Sequence, residues 1–356
     1  MSLPTEVRQI IESETSSFKN YTTQYILQNY ELGDSDMILR FKEDEIQILK
    51  KPDNERFLIE ARSSSLAAWM YEINKLYPGK LKDLDLTIPV CFSDTSNTPL
   101  QEIPCLVFSK TSFSNNILMP SLNNMLGSPE IHAVNAIDSP THKKRPAVCF
   151  AGSLTGNTSN DIGNNVRIQL LKELIEWDEN SIRLKLVRPP KMENGEERFE
   201  STILEIAKMI PSQGIDNIKK YLVNSEKKLS IQEQLKFRYQ LCVDGHTCAW
   251  ARLPWQMQSN CVPIKIRNKR HDWKEWFYYL LNPCKHFLEV DIEDLGMAYE
   301  YLKNNPQAEN DIVQAGKDFV SKYYSSDFAK EVLMETFILL NKKQDNTHYD
   351  RMAENE

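Results

Sequence analysis

Apolar residues keep two different rhythms along the chain. Val7, Ile10 and Ile11 share one helical face near the start, whereas "DMILRFK", "EIQILKK" and "RFLIEAR" alternate with the period of strands. A helix followed by a small sheet is predicted. In "SSLAAWMYEINKLYPG" the residues Leu66, Trp69, Met70 and Ile73 return to helical spacing, with serines ahead and a Pro-Gly stop behind. "LDLTIPVCFSD" is a continuous apolar run ending in a polar loop, the form of a buried parallel strand that carries a side chain, here Asp94, to a sheet's carboxyl edge.

Between about residues 120 and 145 the period is lost and Pro, Asn and Ser accumulate, which predicts a loop or interdomain crossing with a boundary near 140. Beyond it, "PAVCFAGSLTGNTSNDIGNNVRIQLLKELIEW" reads as strand, glycine-containing loop and amphipathic helix, the helix carrying Val166, Leu170, Leu171 and Leu174. "KFRYQLCVDG", "CVPIKIR" and "HFLEV" repeat the strand grammar, and the last leads into the helical "IEDLGMAYEYLKNN". The second half is therefore expected to be an open, mostly parallel α/β domain. Helical spacing dominates from Ala308 through "VLMETFILLNKK", while "QDNTHYDRMAENE" holds too little apolar material to pack. The predicted plan is an N-terminal domain over 1–140, a second domain over 141–315, C-terminal helices over 316–345 and a flexible tail over 346–356.

Composition narrows the function classes. A chain of 356 residues with 41% hydrophobic content is long enough for two domains with cores of their own. The balance of 43 basic against 50 acidic residues, net −7, argues against broad coating of nucleic acid or anionic membrane. No run of about 18 uncharged apolar residues occurs, and "MSLPTEVRQIIESET" lacks the basic and hydrophobic parts of a secretory signal, so a cytoplasmic location is expected. Seven cysteines, an odd number in strand-like contexts, read as buried reduced thiols rather than a disulfide framework.

The chemistry concentrates in "VDGHTCAWARLPW", residues 243–255. Cys242, Asp244, His246 and Cys248 are potential zinc ligands, but no second well-spaced ligand pair accompanies them, and Asp-Gly breaks the extended geometry. A Cys248 nucleophile lacks a recognisable base. An anion site uses more of the residues. Gly245 permits a tight turn, Thr247 donates a hydroxyl, Arg252 forks onto phosphate oxygens, and a helix opened by Pro254 aims its amides at the same ligand. An ordinary strand-to-helix turn with a surface arginine accounts for this stretch equally well.

A wider pattern adds to that reading. "FRYQLCVDGHTCAWARLPWQM" resembles the central motif of family 90 glycosyltransferases, which include protein O-glucosyltransferases and capsule or lipopolysaccharide transferases. "HDWKEWFYYLLNPCKHFLEVDIEDL" resembles the family's acidic-aromatic motif, "AENDIVQAGKDFVSKYY" its C-terminal helix and "KKRPAVCFAGSLTG" its strand and glycine loop. "LTIPVCFSDTSN" and "IPCLVFSKTSFSNNILMPS" resemble the edge strand and acceptor-side segment of its N-terminal domain, so the likeness runs in order from about residue 80 to about 330.

The resemblance implies an α/β fold of GT-B type, two Rossmann-like domains facing across a cleft, with C-terminal helices packing back across them. It implies an inverting, metal-independent transfer of a sugar, glucose or xylose, from a UDP-sugar to a hydroxyl of a glycan acceptor, with no cofactor. Asp94 matches the family's acidic position and would act as base on the acceptor hydroxyl. Arg252 would stabilise the departing diphosphate, and Gly152, Ser153 and Thr155 match a nucleotide-contacting loop. Asp244, Gly245, His246 and Thr247 would line the donor pocket, and Glu275 would accept hydrogen bonds from the ribose hydroxyls. Many relatives carry an arginine in or just after the glycine loop; Ala151 and Leu154 stand there instead, and Arg167 on the next helix is the candidate substitute. Trp273, Trp276, Phe277 and Tyr278 are expected to fill the core. A cytoplasmic chain of this family would meet a bacterial lipopolysaccharide or capsule precursor, lipid-linked, with at most peripheral contact at the inner membrane face. The competing expectation is a non-catalytic sugar-nucleotide-binding or scaffold protein that retains the fold.

Overall fold

The computed structural model describes residues 3–18, 21–32, 36–42, 45–50, 57–92, 103–125, 127–156, 164–187, 195–223 and 228–344. Asp94 and the tail over 346–356 lie outside the described residues. The chain divides into two compact units, one formed by 1–127, 273–280 and 325–356, the other by 128–272 and 281–324. The sequence suggested one boundary near 140; the division instead falls at 127/128, and the chain re-enters the first unit twice.

The first unit holds α1 (Thr5–Glu14), α2 (Thr23–Asn29), β1 (Asp36–Lys42), β2 (Glu45–Lys50), α3 (Phe57–Leu76), β3 (Leu86–Cys91), β4 (Leu106–Val107), β5 (Lys110–Thr111), β6 (Ile117–Leu118) and α4 (Leu122–Met125). Its main sheet has the order β2-β1-β3-β4-β6. β1 runs antiparallel to β2 and β3, while β4 runs parallel to β3 and β6. "RFLIEAR" is not a strand, as its alternation suggested, because residues 57–62 open the helix α3. No Gly or Pro interrupts 57–76, so a helix once nucleated over "SSLAAWMYEINKL" propagates backwards through good helix formers. Gly79, at φ 82, supplies the left-handed residue in the turn beyond its end.

The second unit begins with α5 (Pro129–Ile137), followed by β7 (Arg145–Ser153), α6 (Val166–Leu174), β8 (Ile182–Val187), α7 (Gly195–Met209), α8 (Ile215–Tyr221), β9 (Leu222–Val223), α9 (Ile231–Gln234), β10 (Phe237–Cys242), α10 (Arg252–Gln258) and β11 (Val262–Ile266). β12 (Trp273–Lys274) pairs antiparallel with β5 and belongs to the first unit. β13 (Leu288–Val290), α11 (Leu295–Asn304) and α12 (Pro306–Tyr323) complete the second unit, and α13 (Ser326–Lys343) returns to the first. The loop expected over 120–145 contains α5 instead. Ser128 and Pro129 form a helix start, and Ile131 and Val134 bury one face, a signal only nine residues long.

The α/β class expected from the sequence is the class observed. In the second unit every strand pairing is parallel, in the order β13-β11-β10-β7-β8-β9. Numbered from β7 within the unit this is 3-2-1-4-5-6, the doubly wound order, and the strand order reverses between β7 and β10. Its core is continuous, with Val148, Phe150, Leu184, Leu241 and Ile264 against Ile168, Leu171 and Leu302. Parallel strands covered on both faces account for the unbroken apolar runs in the sequence. In the first unit α13 packs on the sheet through Phe337, whose ring lies 5.0 Å from that of Phe41. The Gln344 side chain then pairs with both backbone groups of Thr87, at 2.7 and 3.0 Å, much as a neighbouring strand would.

The start of β7 is fixed by a buried ion pair. Lys144 meets Asp138 and also donates to the Leu235 carbonyl at 2.6 Å, while the other Asp138 oxygen accepts the Asn260 amide at 2.5 Å. Asp138→Ala strands the Lys144 charge in the interior and is expected to cost about 3–5 kcal/mol of stability. Urea unfolding of the full chain checks this; a loss under about 1 kcal/mol would show that water reaches Lys144.

Candidate functional site

β7 stays paired with β8 as far as Ser153↔Val187, but its pairing with β10 ends at Gln240↔Cys149. Past that point side chains take the carbonyls. Arg252 Nη2 donates to Ala151 O at 2.7 Å, Arg167 Nη2 to Val243 O at 3.0 Å, and Gln256 Nε2 to Leu241 O at 3.1 Å. The opening lies at the strand-order reversal and at the carboxyl edge, where open α/β sheets bind ligands.

Arg167 ties the loops around this opening together. Asn165 caps α6, accepting from the amides of Arg167 at 2.9 Å and Ile168 at 3.3 Å, and so sends the Arg167 side chain back under the β7 loop. There Nη1 donates to Ser153 O and to Thr155 Oγ1 at 2.8 Å, Nε to Asp244 O at 3.1 Å, and Nη2 to Val243 O. Four of the five N–H groups of a guanidinium are thereby used on protein. Arg167 is only 6% exposed, and burial, reinforced by the charge of Arg252, pushes its pKa down to about 10.

Arg252, the first residue of α10, uses fewer of its donors among the described residues. Besides Ala151 O it reaches Gln234 Oε1 at 3.4 Å. Its guanidinium carbon lies 5.0 Å from the centre of the Phe150 ring, and that of Arg167 lies 5.4 Å from the same ring. Burial lowers the Arg252 pKa as well. Among the described residues neither guanidinium is paired with a carboxylate; the partners are carbonyls, a hydroxyl and an amide oxygen. The Asp244 carboxylate, 1% exposed, is held by a third cation, with Lys265 Nζ at 3.3 Å from Oδ2. Burial alone would lower the Lys265 pKa, and Asp244 more than offsets that, raising it above the ordinary ammonium range. Desolvated positive charge thus exceeds negative charge at the crevice, an arrangement that an incoming anion stabilises.

The structure brings Gly152, Ser153, Thr155, Arg167, Asp244, Gly245 and Arg252 into one cluster, but the glycines serve it differently from the sequence expectation. Neither Gly152 nor Gly245 has positive φ. A Cβ on Gly245 would lie 2.7 Å from Thr155 Oγ1 and 3.0 Å from Arg167 Nη2, and one on Gly152 would lie 2.8 Å from the Phe150 ring and 3.3 Å from Arg252 Nη2. Their missing side chains leave room for the guanidinium groups. Gly156, at φ 118, is the glycine of this loop that needs left-handed freedom. Gly245 N donates to Thr247 O at 3.0 Å, closing the β10 loop. His246 is exposed, whereas Thr247 is buried with no hydrogen-bond partner for Oγ1 among the described residues. Glu275 is buried in the first unit, directly after β12, with Trp273, Trp276 and Phe277 buried beside it in sequence, as core residues.

Sequence reasoning missed Phe150, Lys265, Gln234 and Asn165. Asn165 carried a readable signal, a capping residue just ahead of an apolar-periodic helix. Lys265 stood out as a charge in the strand run "CVPIKI", and a buried strand tolerates one only when it is paired. Phe150 looked like any other core aromatic. Six cysteines are buried and Cys284 is exposed, all unbridged. Among the described residues no three His, Cys, Asp or Glu side chains converge as a metal centre requires, and no helix is long and apolar enough to cross a membrane.

Fold and site together define a doubly wound α/β domain with clustered cationic side chains where its strand order reverses. Residues 177–343 match the sequence model of glycosyl transferase family 90, so the resemblance read from the motifs is borne out over that stretch. The chain is 31% identical over 135 residues to uncharacterized protein 179R of Invertebrate iridescent virus 6, covering 34% of this chain and 11% of that protein. It is 26% identical over 188 residues to uncharacterized protein 035R of Invertebrate iridescent virus 3, covering 52% of this chain and 15% of that protein. The chain thus spans only a small part of either relative. Among solved structures, Anabaena Alr3699/HepE in complex with UDP is similar at 7% identity and a TM-score of 0.35, over 64% of this chain and 57% of that one.

Arg167→Lys separates the geometry of the guanidinium from its charge. A lysine keeps the charge but cannot bridge Ser153, Thr155, Val243 and Asp244, and the variant is expected to lose about 2–4 kcal/mol of stability. Chemical denaturation reads the change. A variant as stable as the parent would mean that charge alone holds these loops.

Proposed function

We propose that the protein is an inverting glycosyltransferase of GT-B type that moves a sugar from a UDP-sugar to a hydroxyl of a glycan. The observation that carries this reading is the pair of guanidinium groups at the switch point of the second unit, Arg167 buried and Arg252 half-buried, with no carboxylate partner among the described residues. A diphosphate is the ligand whose charge suits that excess. It lies on the path of the reaction, because the departing UDP gains negative charge as the sugar's anomeric C–O bond breaks. The match to glycosyl transferase family 90 over residues 177–343 supports sugar transfer as the chemistry.

In this reading the residues divide the work. Arg167, four of its donors engaged by three backbone carbonyls and the Thr155 hydroxyl, supplies charge and holds the Ser153–Thr155 and Val243–Asp244 loops in place. Arg252, with donors to spare, hydrogen-bonds the phosphate oxygens. Lys265 cancels the Asp244 charge, which would otherwise repel the diphosphate. Asp94, in the polar segment that follows β3, takes the proton of the acceptor hydroxyl as its oxygen attacks the anomeric carbon from the face opposite the leaving diphosphate. One C–O bond forms, another breaks, the proton passes to the carboxylate, and the anomeric configuration inverts. The diphosphate is held by guanidinium charge and fixed dipoles, with no divalent ion required. Glucose and xylose are the proposed sugars, and a bacterial lipopolysaccharide or capsule precursor, lipid-linked and met at the inner face of the membrane, is the proposed acceptor.

Two substitutions test separate halves of this function. Asp94→Asn is expected to abolish transfer while leaving UDP affinity within a few-fold of the parent. Arg252→Ala removes charge-assisted hydrogen bonds and is expected to weaken UDP binding about 10- to 100-fold by calorimetry. Undiminished turnover in the first variant would remove Asp94 from the mechanism. UDP binding with no transfer to any glycan by the parent would favour a sugar-nucleotide-binding scaffold.

A further inference from the structure

Gln234 reaches the Arg252 guanidinium from the short helix α9, and the register of that helix decides which side chain does so. Ser230 caps α9. Its Oγ accepts the Glu233 amide at 3.2 Å, and the Glu233 carboxylate turns back to accept the Ser230 amide at 2.8 Å. That carboxylate is exposed, and the bonds from the Ser230 amide and hydroxyl hold its pKa below the ordinary carboxylate range. Gln234 follows about 100° further round the helix, 4% exposed. Its Nε2 donates to Leu229 O at 3.1 Å, and its Oε1 accepts from Arg252 Nη1 at 3.4 Å. The bond to Leu229 fixes which amide atom faces the arginine, since a reversed amide would set N–H against a cation. Gln240 Nε2 donates to Gln234 O at 2.7 Å and to Phe237 O at 3.0 Å, tying the end of α9 to β10. The helix thereby sends its carboxylate to solvent and its amide to the guanidinium.

The identity of this side chain matters more than its grip. A contact of 3.4 Å is long for a hydrogen bond, so Gln234 steers the guanidinium by its dipole while Ala151 O, at 2.7 Å, holds it. A glutamate has the same shape as a glutamine. At this position it would pair with Arg252 and cancel the charge that the proposed function assigns to the diphosphate. We infer that Gln234 is a positioning residue that aims Arg252 at a diphosphate while leaving its charge uncancelled, an inference that rests on the proposed function. A neutral acceptor gives the guanidinium an orientation without giving it a counter-ion.

Calorimetry on the full chain, with UDP and with inorganic pyrophosphate, provides the test. Gln234→Glu is expected to weaken both ligands about 10- to 100-fold, as Arg252→Ala does. Gln234→Met removes the amide without adding charge and is expected to weaken them only about 2- to 5-fold. A residue that served packing alone would give the reverse order, because methionine discards both amide contacts whereas glutamate keeps the shape. In an Arg252→Ala background, Gln234→Met is expected to change affinity no further, because the group it steers is gone. Equal affinity in the parent and Gln234→Glu, or an undiminished extra loss from Gln234→Met in the Arg252→Ala chain, would overturn the inference and leave the proposed function standing. A parent that binds neither ligand would overturn both. Should Gln234→Glu fail to fold, the cycle between Gln234→Met and Arg252→Ala decides alone, with coupling supporting the inference and additivity overturning it.

Discussion

Arg167 sits beneath the loops that leave β7 and β10, and the shape of the site follows from where its hydrogen bonds go. A buried guanidinium must find acceptors, and this one finds them on Ser153, Thr155, Val243 and Asp244, at the point where the two central strands part. The loops are held by the side chain rather than by one another. Gly245 and Gly152 follow as requirements, since a Cβ on either would press on a guanidinium or on the parts that seat it. Arg252 and Phe150 complete the arrangement, with one aromatic face between two cations.

The energetic consequence runs from packing to function. Desolvated cations with no carboxylate partner among the described residues cost stability, and burial lowers both arginine pKa values. In the proposed reading, a diphosphate supplies the opposite charge that offsets this cost. Asp244 would compete for the same cations if it were free. Its carboxylate pairs with Lys265 at 3.3 Å, which offsets its charge while leaving a smaller attraction on Arg167.

Much of the second unit was legible in the sequence because its physics is local. Continuous apolar runs mark β7, β10 and β11, the caps and spacing mark α6 and α11, and the order of the motifs carried the resemblance to family 90 glycosyltransferases, whose model matches residues 177–343. The cluster of Gly152, Ser153, Thr155, Asp244, Gly245 and Arg252 was readable because those residues fall directly after strands, where a parallel sheet gathers its loops. Arg167 was singled out as a substitute for the missing loop arginine, yet its role could not be read, since three bonds to backbone carbonyls and one to the Thr155 hydroxyl leave no trace in composition. Lys265 and Phe150 escaped notice because their importance depends on what faces them across the sheet. In the first unit, "RFLIEAR" misled because six residues of alternation cannot compete with a longer helix having no internal stop. The short α5 was missed for the opposite reason, since its start signal stood in a segment rich in loop-forming residues. The return of 273–280 to the first unit depends on the pairing of β12 with β5, a contact with no local signature.

In the proposed function, fixed guanidinium charge at the β7–β10 opening receives a diphosphate. A crystal structure of the protein soaked with UDP tests it most directly. Phosphate oxygens are expected within hydrogen-bonding distance of the Arg252 guanidinium, beside the loops that Arg167 holds. UDP bound away from Gly245 and Arg252, or joined to the protein through a divalent cation, would contradict it.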